Sequence, residues 1–294
     1  MYRKFFGLAR RPFEMAPDPA FLYLGEAHRE GLATLLYGVQ SRKGFVLLTG
    51  EVGTGKTTLL HALLGQLDTN TASAFIFNPR LTPLDFFRLL FDEFGIQKPC
   101  SSKAEYLIAL NEFLIERLER NETALLIVDE AQNLPPEMLE EIRLLSNLET
   151  PSHKLLQIML VGQPELNDLL ARPELRQLRQ RIVLRHHLRP FDARELDEYV
   201  DERMRLAGYT GQGVFKRSAR RRLFEVTGGV PRLVNIVCDG ALLTAYGRGQ
   251  SLIGGDLIAE VARDLMLPTA ARARAPVRPA VPARGWRDWL RWAR

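Results

Sequence analysis

Two kinds of hydrophobic pattern alternate along the chain as far as residue 190. Short runs of strand type occur at 45–49, 72–77, 124–128, 155–161 and 182–188. Leu125-Leu126-Ile127-Val128 has no polar alternation, which predicts a strand covered on both faces. Between the runs, apolar residues recur at helical spacing, as Leu32, Leu35, Leu36 and Val39 do. They predict helices over 28–42, 58–64, 84–94, 104–120 and 136–147. From Phe191 the pattern changes to helices with short loops, over 193–206, 216–226, 231–246 and 256–265. The first 23 residues scatter Phe6, Phe13, Phe21 and Tyr23 among turn formers. They read as an extended segment pinned over a core rather than forming it.

Candidate chemistry begins where the first strand ends. Gly50-Glu51-Val52-Gly53-Thr54-Gly55-Lys56-Thr57-Thr58 sits between strand and helix and fits glycine, four residues, then Gly-Lys-Thr. Glycines let a backbone wrap a phosphate with its N–H groups turned inward, and the following helix aims its positive end at the same anion. Lys56 is expected to reach the β- and γ-phosphates of ATP, and the Thr57 hydroxyl to ligate Mg²⁺.

Three further signals bear on that loop. The 124–128 strand runs into Asp129-Glu130. A carboxylate at such a strand end can hold Mg²⁺ through water, which suits Asp129, and Glu130 can polarise the attacking water. The next strand ends in Gly162-Gln163-Pro164, where Gln163 is either a γ-phosphate or water contact or an ordinary turn residue. Residues 172–189 carry six arginines, at 172, 176, 179, 181, 185 and 189. Such density is usually a solvated face. An arginine near a subunit boundary can also act on a neighbour's γ-phosphate, and Arg179 and Arg181 are the candidates. Finally, Pro231 suits a first helical turn, so Arg232 sits at a helix start, where a cation opposes the dipole. A phosphate across an interdomain cleft is its natural partner.

Composition narrows the setting. The 294 residues are enough for one or two domains with a full core. No apolar run approaches the ~18 residues of a membrane span, and no apolar stretch of a secretory signal follows Met1. Cys100 and Cys238 have no metal-ligand spacing, which fits a reducing cytoplasm. The formal charge of +5 is uneven. Residues 268–294 hold seven arginines against Asp288, a balance of +6, so the preceding residues sum to −1. The body is therefore not a globally basic nucleic-acid binder. Residues 270–283 read as a disordered linker. Beyond it, Trp286, Trp289, Leu290 and Ala293 share one helical face opposite Arg287, Arg291 and Arg294. That division suits an anionic membrane surface or a partner groove, hence peripheral attachment at an inner membrane.

Taken together, these residues resemble the GspA/ExeA-type AAA+ ATPases associated with general secretion, pilus and exopolysaccharide systems. The resemblance runs from Tyr2 to Leu267. It rests on Phe6-Gly7-Leu8 with Pro12-Phe13, Asp18-Pro19 with Leu22-Tyr23, the glycine loop, Asp129-Glu130-Ala131-Gln132-Asn133-Leu134, Gly162-Gln163-Pro164-Glu165-Leu166 and Gly228-Gly229-Val230-Pro231-Arg232. It implies an α/β P-loop fold with a five-stranded parallel sheet ordered 5-1-4-3-2 and a C-terminal helical lid carrying Arg232 as sensor. It divides the chain into an ATPase domain at 1–190, the lid at 191–267 and the basic tail at 268–294. It also implies a homo-oligomer hydrolysing ATP with Mg²⁺ for a protein partner in a secretion or envelope system. The same core resembles DNA-engaging transposition helpers and replication initiators, and the run Lys216-Arg217 with Arg220-Arg221-Arg222 keeps that alternative open. A third reading is a nucleotide switch or scaffold with little turnover, against which Glu130 argues.

Overall fold

A computed structural model describes residues 1–15, 21–68, 70–77 and 82–267. Asp18-Pro19 and the tail at 268–294 lie outside the described residues. In chain order the elements are α1 (Tyr2–Phe5), α2 (Glu26–Gln40), β1 (Phe45–Gly50), α3 (Lys56–Leu64), β2 (Thr71–Ile76), α4 (Pro83–Phe94) and α5 (Lys103–Glu119). There follow β3 (Thr123–Val128), α6 (Pro136–Leu145), β4 (Leu156–Gly162), α7 (Glu165–Leu170), α8 (Arg176–Arg181) and β5 (Ile182–Leu188). The chain continues through α9 (Ala193–Leu206), α10 (Arg217–Thr227), α11 (Pro231–Gly247) and α12 (Gly255–Asp264).

Among the described residues the strands form one sheet ordered β2-β3-β4-β1-β5, every pair parallel. Alternate side chains of a strand point to opposite faces, so each central strand feeds two cores. Phe45 and Leu47 of β1, Leu126 and Val128 of β3, and Ile158 and Leu160 of β4 pack with α4, α5 and α6. Their neighbours Val46, Leu48, Leu125, Ile127, Met159 and Val161 pack with α2 and α3 on the other face. Strands buried on both sides give the continuous apolar runs of the sequence.

A third core lies among α9 to α12, and the N-terminal segment belongs to it. Tyr2, Phe6, Leu8, Phe13 and Phe21 are buried there with Leu196, Val234 and Ile258. The Tyr2 hydroxyl donates to Asp239, and the backbone N–H of Ala9 donates to Ala207 O at 2.8 Å. This corrects the reading of that segment as lying over a core: its aromatics build one. Because all five strands run parallel, every strand's carboxyl end faces the side where α3 begins and α11 approaches, which sets the site.

Candidate functional site

The turn after β1 shows why its glycines are glycines. Gly53 (φ +82°) and Gly55 (φ +101°) occupy left-handed conformations, which L side chains rarely adopt. A Cβ on Gly53 would stand 2.7 Å from Arg232 Cβ. Thr54 is buried and folds inward, its hydroxyl donating to Glu51 O at 2.8 Å. Lys56 is 7% exposed, and its Nζ donates to Gly50 O at 2.7 Å and Glu51 O at 3.2 Å. Burial pushes the Lys56 pKa down, against the pull of the Glu130 and Asp129 carboxylates. No side chain caps α3, so its first N–H groups face the loop's concavity unclaimed. Val52, Thr57 and Thr58 line the same cavity, of about 790 Å³.

Asp129 and Glu130 sit at the end of β3 in different settings. Asp129 is 3% exposed and accepts the Glu130 N–H at 2.8 Å. Burial raises its pKa, while that hydrogen bond and one from the Thr57 side chain oppose the rise. Glu130 takes φ +53° and ψ 35°, uncommon for a residue with a Cβ. That backbone turns its carboxylate to the cavity, where Oε2 accepts from Gln132 Nε2 at 2.6 Å and Gln163 Nε2 at 3.2 Å. Gln163 lies just past β4, parallel to β3, which explains how residues 33 apart in sequence meet.

Arg232 reaches the same place from the helical side. It follows Pro231 at the start of α11 and lines the cavity, and its backbone N–H donates to Gly53 O at 3.2 Å. Its guanidinium has no partner among the described residues. Arg179 and Arg181 lie apart from the cavity. Arg181 is committed within the chain, donating to Ser146 Oγ and, at 3.5 Å, to Arg143 O. Arg179 is exposed in the last turn of α8, with the like charge of Arg185 beside it and no acid bonded to it among the described residues.

Two groups escaped the reading of the sequence. His28 Nε2 stands 2.9 Å from Thr54 O, placing α2 directly behind the loop. Burial lowers the His28 pKa. At the other end of the cavity, Arg203 donates to the Tyr199 hydroxyl at 3.1 Å, and Tyr199 donates to Asn235 Oδ1 at 2.7 Å. The helical spacing of α9 and α11 marks such residues as core-facing and carries no sign of the link between them.

Comparison with known proteins bears on the fold that carries these residues. Residues 39–170 match the family model of an AAA domain. The chain is also 46% identical over 259 residues to general secretion pathway protein A of Aeromonas hydrophila. An AAA domain is therefore present. The secretion-protein match takes in 87% of this chain and 47% of that protein, so the chain spans about half the length of the curated relative it matches. Among solved structures, the ORC2 protein of Aeropyrum pernix in its ADPNP-ADP complexes superposes with a TM-score of 0.62 at 18% identity, covering 87% of this chain and 71% of that one. Drosophila ORC bound to DNA gives 0.67 at 20% identity, covering 93% and 69%. Cdc6p of Pyrobaculum aerophilum gives 0.64 at 20%, covering 85% and 71%. These likenesses are of fold.

Proposed function

We propose that this AAA+ chain binds ATP with Mg²⁺, hydrolyses it to ADP and phosphate, and so drives or regulates a secretion, pilus or polysaccharide-export machinery. The observation that carries this reading is the convergence of Lys56, the uncapped start of α3, Glu130, Gln163 and Arg232 on one cavity. In it, residues 50–58 wrap the phosphates, and Lys56 exchanges its loop carbonyls for the β- and γ-phosphates. Mg²⁺, held by Thr57 and Asp129, would neutralise charge developing on the phosphates. Glu130 takes the proton of the attacking water, and Gln163 orients that water or the γ-phosphate. Arg232, on the α11 side, senses the nucleotide, which gives the division into 1–190 and a lid at 191–267 its mechanical meaning.

A homo-oligomer completes the reading. Arg181 is occupied within its own chain, so Arg179 is the arginine for a neighbour's γ-phosphate. The partner system is proposed from the likeness to a general secretion pathway protein. Among the described residues no helix is long and apolar enough to cross a membrane. A cytoplasmic protein held at the inner membrane by the arginine- and tryptophan-bearing residues 268–294 fits that observation. Three of the five cations behind the DNA-engaging alternative are paired within the chain, Arg220 with Asp201 and Asp197, and Arg221 and Arg222 with Glu225.

Lys56→Ala tests the nucleotide assignment. Titration with Mg-ATP should give no detectable binding, with the melting temperature of the nucleotide-free protein close to wild type. Wild-type affinity would sink the assignment.

A further inference from the structure

Gln132 belongs to none of the roles above, yet both ends of its amide are used. Its Oε1 accepts the backbone N–H of Gln163 at 3.0 Å, and its Nε2 donates to Glu130 Oε2 at 2.6 Å. This orientation is dictated by its partners: a backbone N–H can only donate, so the carbonyl end of the amide faces it and the NH₂ end faces the carboxylate. The seat is built for this side chain. A Cβ at position 162 would stand 2.6 Å from Gln132 Oε1, so Gly162 makes room for it. Ala131, fully buried within a single 3₁₀ turn, fixes the backbone from which Gln132 departs. On Glu130 the consequence is asymmetric. Oε2 accepts two amide hydrogens, from Gln132 and Gln163, and Oε1 accepts none among the described residues.

We propose that Gln132 is the positioning residue of the Glu130 base. It ties Oε2 and leaves Oε1 as the oxygen that receives the water proton. Its grip on the Gln163 backbone makes the base follow the end of β4, so a shift of Gln163 on meeting phosphate repositions the carboxylate. This rests on the assignment of Glu130 as base made above. The bridge differs from that assignment in acting on the rate of chemistry alone, since Gln132 holds no part of the nucleotide.

Two variants and one background test it in the full chain, with ATP turnover and Mg-ATP affinity measured together. Gln132→Glu keeps an oxygen for the Gln163 N–H and removes the donor to Glu130 at almost unchanged shape; Gln132→Ala removes both bonds. Each should lower kcat about 10–10²-fold, the scale of a base misplaced by about an ångström, with KM for ATP unchanged. Added to Glu130→Gln, Gln132→Ala should cost nothing more, because the group it positions is already gone. Wild-type kcat in both single variants, a raised KM with unchanged kcat, or a full further loss in the double variant would each overturn the bridge. If Glu130→Gln alone retains wild-type turnover, the base assignment fails and the bridge with it. Loss in Glu130→Gln beside full activity in the Gln132 variants would defeat the bridge only.

Discussion

Asp129 is a carboxylate whose surroundings favour its proton. Burial raises its pKa, and among the described residues no arginine or lysine is bonded to it. The sign of the pH effect follows. A carboxyl whose folded pKa lies above its unfolded value binds protons more tightly when folded, so its contribution to stability is greatest at low pH and is lost as pH rises through the folded pKa. Asp129→Asn should therefore melt higher than wild type at pH 7.5 without nucleotide, the difference closing as the pH falls towards about 4, the ordinary carboxylate range. A lower melting point for the variant at pH 7.5 would contradict the burial argument. The same substitution removes the expected Mg²⁺ contact, so the gain in stability should accompany lost turnover, the trade common at functional sites. The placement of Lys56, Asp129 and Glu130 was legible in the sequence, because each sits at a strand or helix end that periodicity locates. Gln132 was not, since its meaning lies in a partner 31 residues away.

At the scale of elements, the joint between β5 and the helices turns on two adjacent glycines. Gly228 (φ +58°) and Gly229 (φ +76°) both take left-handed conformations before α11. A Cβ on Gly228 would meet nothing within 4 Å, whereas one on Gly229 would fall 1.9 Å from Phe191 O. Gly228→Ala should cost about 1–2 kcal/mol in denaturant unfolding, the left-handed penalty alone. Gly229→Ala adds a backbone collision and should cost at least ~2 kcal/mol more, within the range of severe overpacking. Equal costs would mean that the Phe191 backbone yields freely. The strands and long helices matched their sequence patterns closely, β3 and α5 within a residue or so at each end. The short α1, α7 and α8 gave no such signal, because four to six residues complete too little of a helical period to be distinguished from a turn.

Across the whole molecule, the sheet with its two cores meets a helical core that borrows the N-terminal residues. Tyr2 bonds to Asp239, 237 residues later, and this long-range pairing is why the segment's aromatics looked scattered in the sequence. The joint between the halves is Glu195, which accepts the Glu26 N–H at 2.7 Å, the Asp192 N–H at 2.9 Å and Arg189 Nη1 at 2.9 Å. Burial alone would raise its pKa, but these bonds outweigh it and hold the carboxyl below its ordinary value. The homo-oligomer proposed above sets the two arginine candidates in competition. Arg181→Ala should lower the melting temperature by cutting its ties to Ser146 and Arg143. Arg179→Ala should leave melting unchanged and lower turnover by roughly 10³-fold, as loss of an arginine acting in trans does. Mixing it with Glu130→Gln should restore part of the activity, because each chain supplies what the other lacks. No recovery on mixing would place Arg179 outside the reaction.

We propose that ATP is hydrolysed in this cavity with Glu130 as the base. Steady-state phosphate release by Glu130→Gln, measured beside wild type with Mg-ATP binding on the same samples, tests it most directly. Affinity should equal that of wild type, with turnover lowered by about 10²–10⁴-fold. Turnover equal to wild type in the folded variant would contradict it.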